Sequence, residues 1–389
     1  MGRDDILKAL QPTLTAQMKL WWDLASPDGY GYPWGRSLGV VSYLDTLEIV
    51  AFLGGHPAFR PAPMKDLVGE YRLAWLWLSR DYKPETHLLS VFAPGRGNYA
   101  YISKGREWQQ TVGFFGKAIM AQDTLMKALD AEKVDSFPAI PAYPKVARFE
   151  FFRHGDRPSG VWLVRQGPVR FALPFVTGTK PGVADYLPAP HGLPGFSVPV
   201  EQVFPAGASH FEMEDGQVLV AADGADEIVP AADGRSVRAT WRRFVVKGGK
   251  TGAFVEPGFE VTNTWALSGS TLKREETLKA LRDVTIRKIT FVLPSTGKTS
   301  PGPLAPTNAT PSGVVRLFSG GGVLEVTHGG DLAMTLSQQT PSPDEALGRG
   351  ARGAISTHIT YEAKDVQLRA SQSKHWNLSL SARTQRNPR

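Results

Sequence analysis

The sequence predicts an α+β chain, with a short helical domain followed by a large antiparallel β-sandwich domain. Two observations support this division. Apolar residues recur at helical spacing in the first third of the 389 residues, and they alternate with polar residues in the rest. Most of the 40 glycines and 30 prolines lie in the second part, which indicates many turns and short strands. We therefore expect a helical domain over 1–133, a linker over 134–145 and a β-sandwich over 146–389.

The helical domain contains segments of helical periodicity separated by glycine and proline. They are Asp5–Leu24, Leu38–Leu53, Met64–Tyr82 and Glu107–Leu129. The second of these is apolar on nearly every side, which predicts a helix that is buried on several sides. Prolines interrupt the chain between residues 134 and 144, and this composition is typical of a linker.

The β domain is predicted from runs with a period of two, separated by Gly, Asp and Pro turns. No helical connection lies between these runs, and this favours antiparallel sheets. The run Gly320–Gly322 is predicted to be a hairpin turn, since strand-like sequence lies on both of its sides. The predicted strands are 148–153, 161–164, 169–173, 217–220, 237–246, 259–265, 272–278, 284–293, 323–327 and 368–380.

Charge and composition narrow the classes of function. The formal net charge of +7 suits an anionic partner. The basic residues are scattered, so we expect an acidic polysaccharide or oligosaccharide and no nucleic acid. The chain has no cysteine, which excludes disulfides, zinc–thiolate sites and cysteine nucleophiles. The sequence has no metal-binding motif, and neither a metal nor another cofactor is expected.

The sequence contains no apolar stretch of about 18 residues, so neither a transmembrane helix nor a membrane partner is expected. Asp4 and Asp5 fall where the apolar core of a signal peptide would begin. The expected location is therefore cytoplasmic, or periplasmic or secreted if a leader precedes this chain.

The loop from Asp28 to Ser37 is the first candidate site. Aromatic rings stack on sugars, arginine pairs with carboxylates, and glycines let a ligand approach the backbone. This loop combines all three features immediately before an apolar helix. Its candidate ligand-binding side chains are Tyr30, Tyr32, Trp34 and Arg36.

A second loop with similar composition precedes the segment Glu107–Leu129. If the helices pack as antiparallel hairpins, the two loops lie at the same end of the domain. Basic side chains from both would then line one cleft. The candidate residues of the second loop are Arg96, Asn98, Tyr99, Tyr101, Lys104 and Arg106.

These residue types suit β-elimination on a uronic acid. The reaction requires neutralisation of the C5 carboxylate, a base for the C5 proton and an acid for the leaving oxygen. Arg36 and Asn98 are candidates for neutralisation. A tyrosine can serve as base and acid when nearby positive charge lowers its pKa. His191, in a proline-stiffened segment, is the histidine candidate.

The order of the parts resembles the toroid-plus-sandwich polysaccharide lyases, which include heparinase-like, alginate and hyaluronate lyases. The resemblance rests on Tyr32–Ser37 entering an apolar helix and on the Asn98–Tyr99 loop. It implies an (α/α) toroid, an open cleft and a tyrosine–histidine–arginine–asparagine site. Tyr32 and Arg36 would then be the catalytic and charge-neutralising residues. A full toroid has more helices than this chain, which suggests the C-terminal part of a longer protein.

Our first hypothesis is a polysaccharide lyase that cleaves an acidic, uronic-acid-containing polymer by β-elimination. The first alternative is a glycoside hydrolase on a related helical scaffold, which needs two facing carboxylates. Asp28 with Asp45 or Glu48 would supply them. The second alternative is a carbohydrate-binding protein without catalytic activity.

Overall fold

The fold is known from a computed structural model, and it contains both helices and antiparallel sheets. Two compact units make up the chain, Met1–Pro144 and Lys145–Arg389. The expected order, helices first and antiparallel strands second, is confirmed. The described residues are 4–25, 46–54, 56–85, 87–89, 107–133, 136, 138, 141–152, 157–166, 169–175, 208–222, 224–249, 253–295, 314–319, 322–339 and 357–384.

The helical unit is built around one apolar core. Its α-helices are α1 (Asp4–Leu24), α2 (Met64–Asp81) and α3 (Glu107–Glu132). The described part of the predicted helix Leu38–Leu53 ends in a π-helical turn, Ile49–Gly54, and a 3₁₀ turn follows at Pro57–Phe59. Leu47, Val50 and Leu67 are fully buried in this core. Among the described residues, no helix combines the length and the apolarity that a membrane crossing requires.

Part of the segment expected to be a linker packs on the helical unit. The Ala142 N–H donates to the Asp66 carboxylate at 2.9 Å, and the Tyr143 hydroxyl donates to Glu70. Both carboxylates are buried, so these donors offset the cost of removing them from water. The Tyr143 ring also lies 5.4 Å from the Trp22 ring. The segment 141–143 therefore completes the core of the helical unit.

The strands of the chain form antiparallel sheets. A small hairpin, β1 with β2, belongs to the helical unit. In the β unit, β3–β4–β5 form one sheet; the first seven-stranded sheet has the order β11-β10-β7-β6-β14-β18-β17, and the second has the order β15-β16-β19-β13-β12-β9-β8. The bounds are β1 Tyr82–Lys83, β2 Leu88–Leu89, β3 Val146–Phe152, β4 Ser159–Gln166, β5 Val169–Pro174, β6 His210–Met213, β7 Val218–Val220, β8 Glu227–Pro230, β9 Ser236–Trp241, β10 Phe244–Val246, β11 Phe254–Val255, β12 Phe259–Ser268, β13 Thr271–Ala280, β14 Val284–Ser295, β15 Val315–Ser319, β16 Gly322–Gly330, β17 Thr335–Gln339, β18 Thr357–Leu368 and β19 Ser373–Thr384.

The two seven-stranded sheets share one hydrophobic core. Aromatic rings from both sheets meet in it: Phe211 lies 5.2 Å from Phe259, and Phe291 lies 5.2 Å from Trp376. The sheets therefore pack against each other by their apolar faces, which the alternating burial of β12 and β13 requires.

The sequence predicts one strand over 237–246, and this prediction is wrong. The chain leaves the second sheet after β9 and enters the first sheet at β10. Asp226 fixes the break, because its carboxylate accepts the backbone N–H groups of Arg242 and Arg243 at 2.6 and 2.9 Å. The guanidinium of Arg243 also donates to Asp226 at 2.6 Å. The charged pair Arg242–Arg243 interrupts the alternation of β9, and apolar residues resume at Phe244.

The predicted strand 368–380 is also two strands. β18 ends at Leu368, and β19 begins at Ser373 in the other seven-stranded sheet. Ser371 has a φ of 69°, a left-handed conformation that turns the chain between the sheets. The hairpin predicted at Gly320–Gly322 is confirmed, since Ser319 of β15 pairs with Gly322 of β16.

A buried ion pair lies on the inner face of the second sheet. Arg274 and Glu276 are 0% and 1% exposed, and their side chains are 2.6 Å apart. Glu276 also accepts from the Ser209 hydroxyl at 2.7 Å and from the Trp376 indole at 2.7 Å. The Arg274 guanidinium lies 4.5 Å from the centre of the Phe291 ring. Hydrogen bonds and ring faces thus replace the water that both charges lose on folding.

We expect Glu276→Leu to lower the free energy of unfolding by about 3–5 kcal/mol, because it leaves the Arg274 cation buried without its counter-charge. The double variant Arg274→Met/Glu276→Leu should lose less than the single variant, since no charge is then buried. Urea unfolding followed by tryptophan fluorescence measures both. A single variant as stable as the wild type would contradict the expectation.

Asp226 gives a second prediction, on pH. Burial alone would raise its pKa, but hydrogen bonds from Arg242 and Arg243 and the nearby Arg157 cation hold the pKa below its ordinary value of 3.8. A lowered pKa stabilises the fold above the unfolded-state value, and the stabilisation is lost as the pH falls through the folded-state value.

Asp226→Asn should therefore lower the free energy of unfolding by about 1–3 kcal/mol at pH 7. The gap to the wild type should begin to shrink below about pH 4, where the unfolded-state carboxyl takes up its proton, and it should close only as the pH falls through the lower folded-state pKa. Unfolding curves recorded from pH 2 to pH 8 measure this gap. A gap of constant size over that range would rule out the proposed role of the charge.

Candidate functional site

The site residues predicted from the sequence lie outside the described residues, so each of them stays a prediction. They are Tyr30, Tyr32, Trp34, Arg36, Arg96, Asn98, Tyr99, Tyr101, Lys104, Arg106 and His191.

A tyrosine–histidine pair lies on the hairpin that follows α2. Tyr82 begins β1, His87 directly precedes β2, and Tyr82 pairs with Leu89 in the ladder. The Tyr82 hydroxyl lies 3.2 Å from Nδ1 of His87, within hydrogen-bond distance. The sequence explains the hairpin, because Pro84 after α2 disfavours continued helix and favours a turn.

Packing and backbone geometry hold the two side chains in place. The Tyr82 ring meets the Phe115 ring of α3 edge-on, with the ring centres 5.4 Å apart. His87 is exposed and has a φ of 56°, a left-handed conformation that costs a non-glycine residue about 1–2 kcal/mol. Residues in such conformations cluster at functional sites, where the surrounding structure maintains them.

This pair has the parts needed for proton transfer. In the tautomer with an unprotonated Nδ1, the Tyr82 hydroxyl donates to His87, and the imidazole can take up the phenolic proton. Within the described part of the chain, Nε2 of the exposed imidazole has no hydrogen-bond partner, so it can contact a ligand or water. Two groups that exchange one proton at the protein surface can serve as base and acid in one reaction.

Sequence reasoning missed this pair. The helical pattern places Tyr82 at the end of the predicted segment Met64–Tyr82, and no sequence motif includes His87. The useful signal was Pro84, which places a turn between two residues five positions apart.

A groove between α2 and α3 lies in the same unit. Its volume is about 510 Å³, and Tyr71, Trp75 and Met126 contribute to its apolar lining. Gln122 and Asp130 of α3 add polar groups to the lining. Burial raises the pKa of the Tyr71 hydroxyl, and the neighbouring Trp75 side chain partly offsets the shift. Arg72 of α2 adds a basic group to the lining. The groove therefore offers aromatic faces beside neutral, acidic and basic hydrogen-bonding groups, a combination that suits a sugar ring.

The carboxylate candidates of the hydrolase alternative are not assembled by the described residues. Glu48 is partly exposed and lies 3.3 Å from the ammonium group of Lys117 on α3. This ion pair accounts for a carboxylate next to an apolar core. Asp28 and Asp45 lie outside the described residues.

Comparison with known proteins finds no matching family model and no matching curated sequence. Solved structures with partial similarity include a 4-α-glucanotransferase from Thermococcus litoralis, with a TM-score of 0.41 and 9% identity over 89% of this chain and 49% of that chain. Heparinase III is similar with a TM-score of 0.31 and 11% identity over 97% of this chain and 57% of that chain. A polysaccharide lyase is similar with a TM-score of 0.34 and 11% identity over 63% of this chain and 34% of that chain.

The chain spans about half the length of the glucanotransferase and of heparinase III, at 49% and 57%.

The strained backbone of His87 generates a test that separates stability from function. We expect His87→Asn to unfold at the same temperature as the wild type or higher, because asparagine tolerates the left-handed conformation better than histidine. Thermal unfolding measures the change. A clear fall in the midpoint would show that His87 is kept for structural reasons.

Proposed function

We propose that the protein is a polysaccharide lyase that cleaves an acidic, uronic-acid-containing polysaccharide by β-elimination. The Tyr82–His87 pair is the observation that carries this proposal. It supplies a base and an acid at the protein surface, in the hairpin that leads along the chain to the basic loop of residues 96–106. The proposed architecture is a partial (α/α) toroid followed by a β-sandwich.

Each proton that moves in the proposed elimination has a donor and an acceptor. Transfer of the Tyr82 proton to Nδ1 of His87 leaves a phenolate oxygen that can remove the proton from C5 of the uronate. The C4–O bond then breaks, a double bond forms between C4 and C5, and the leaving oxygen takes from Tyr82 the proton that came from C5. The proton held on His87 then returns to the Tyr82 oxygen. No electron donor or acceptor is needed, so the proposed mechanism uses no redox cofactor.

The C5 carboxylate must be neutralised before the C5 proton becomes acidic. We propose Arg36 and Asn98 for this role, with Tyr32, Tyr99 and His191 as further catalytic candidates from the sequence. The net charge of +7 supports an anionic substrate, because it attracts such a polymer over long distances.

The groove between α2 and α3 supports a saccharide as the ligand. Trp75 lies seven residues before Tyr82, which corresponds to roughly 10 Å along the helix axis. A ring bound against Trp75 would thus lie roughly 10 Å from Tyr82, which directly follows α2. We propose that the groove holds the part of the polymer next to the cleaved bond.

The test is an absorbance assay near 235 nm, roughly where an unsaturated uronate absorbs. Alginate, glucuronan, hyaluronan, chondroitin and heparin form the panel. We expect Tyr82→Phe and His87→Asn to lower the rate about 10²–10⁴-fold, the usual loss when a general acid or base is removed. Tyr32→Phe and Arg36→Ala should also lower it, which would place the first loop in the site.

His56→Asn is the matched control. His56 caps the turn Pro57–Phe59 through Nδ1, and asparagine is itself a good cap, so this variant should keep the wild-type rate. New reducing ends without absorbance would favour a hydrolase instead. Saccharide binding without either product would favour the non-catalytic alternative. Wild-type rates in both Tyr82→Phe and His87→Asn would remove the pair from the mechanism.

A further inference from the structure

The β unit has a corner where three connections between the two seven-stranded sheets meet. The chain crosses from β9 to β10 at Arg242–Arg243, from β11 to β12 at Glu256–Gly258, and from β13 to β14 at Leu281–Asp283. Residues from all three crossings line a cavity of about 460 Å³. We call it the arginine pocket, because Arg242, Arg243 and Arg282 are among its lining residues.

The first wall of the arginine pocket is organised by Asp226. Its carboxylate holds the backbone of Arg242 and Arg243, so both side chains start from a fixed turn. Behind it, the buried Arg157 lies 3.5 Å from the same carboxylate and donates to the Arg243 carbonyl at 3.2 Å. Arg157 thereby offsets the negative charge of Asp226 from inside the protein, so this carboxylate is less able to bind a cationic ligand.

The second wall is organised by Gly258. Its carbonyl accepts the backbone N–H groups of Leu281 and Arg282 at 2.8 and 3.2 Å. The Arg282 guanidinium donates to the Pro257 carbonyl at 3.3 Å. Gly258 has a φ of 93°, and a Cβ there would lie 2.2 Å from Nε of Arg282. Only glycine lets the arginine side chain lie this close to the backbone, so Arg282 is positioned before any ligand arrives.

The charges of the pocket favour an anion. Its lining has three arginines against two carboxylates, Asp226 and Glu256. Arg243 donates to Asp226 at 2.6 Å and Arg157 lies behind the same carboxylate, so two arginines offset the charge of Asp226. Arg242 binds Glu260 through Nε at 3.0 Å, and its side chain is 56% exposed. Planar guanidinium groups match the two oxygens of a carboxylate better than an ammonium group does.

We infer that the arginine pocket binds the carboxylate group of an acidic saccharide, as a second saccharide site carried by the β unit. The volume suits a small ligand such as one or two sugar rings. The exposed Leu281 side chain adds an apolar surface on which a ring can rest. The choice of a uronate as the ligand rests on the proposed function.

The test is a titration of the full chain with a glucuronate trisaccharide, followed by the methyl resonances of Leu281. This readout is local to the pocket, and it is independent of binding in the helical unit and of turnover. We expect the Leu281 signals to shift with the uronate and to stay unchanged with a neutral glucose trisaccharide. Arg282→Ala should weaken this binding at least tenfold, and Arg282→Lys should weaken it less.

Arg238→Ala is the matched control, because Arg238 is exposed on β9, outside the pocket lining, and its loss changes the net charge equally. Arg242→Ala is the second variant if Arg282→Ala does not fold. Equal weakening by Arg238→Ala would show a general effect of surface charge and overturn the inference. Unshifted Leu281 signals would also overturn it.

The two proposals fail separately. Loss of the Leu281 shift in Arg282→Ala, in a protein that forms no unsaturated product, would support the pocket and reject the lyase. Elimination that depends on Tyr82, together with unshifted Leu281 signals, would support the lyase and reject the pocket. A sulfated neutral trisaccharide that shifts Leu281 as strongly as the uronate would show that the pocket recognises sulfate rather than carboxylate.

Discussion

The ion pair between Arg274 and Glu276 constrains the whole β unit. Both residues occupy inward positions of β13, and Lys273, Glu275 and Lys279 point outward. A slip of one residue in the pairing of β13 would exchange these faces and bury unpaired charges. Ser209, which directly precedes β6, and Trp376 of β19 come from distant parts of the sequence, so Glu276 gains both hydrogen bonds only when these segments and β13 are all in place. Burying the two charges costs free energy, because both lose water on folding. In return, the ion pair favours one register of β13 over the alternatives.

The local pattern of apolar residues was enough to predict which segments are helices and which are strands. The helical periodicity gave α2 and α3 nearly to the residue, and period-two runs gave most of the long strands. It was not enough to predict where a strand changes sheet. Arg242 and Arg243 interrupt the alternation of β9, but only the carboxylate of Asp226, sixteen residues earlier, makes the chain turn there. Such breaks depend on a tertiary contact, which periodicity does not record.

The candidate sites show the same limit. The sequence directed attention to loops rich in tyrosine, arginine and glycine, because composition is visible without a fold. Tyr82 and His87 meet only because a hairpin with strands of two residues each brings them together. The arginine pocket joins residues from three separate crossings between the sheets. Neither arrangement has a characteristic spacing. Pro84 and the unusual pair of arginines at 242–243 were the visible signals, and both had simpler local explanations.

The strands at the outer edges of the two large sheets are short. They are β11 with 2 residues, β8 with 4, and β15 and β17 with 5 each, whereas β14, β18 and β19 in the interior have 12. Within the described residues, these short edges offer few free backbone groups to another chain, and Pro230 at the end of β8 removes one donor. Copies of this chain would therefore resist joining into fibrils through these edges.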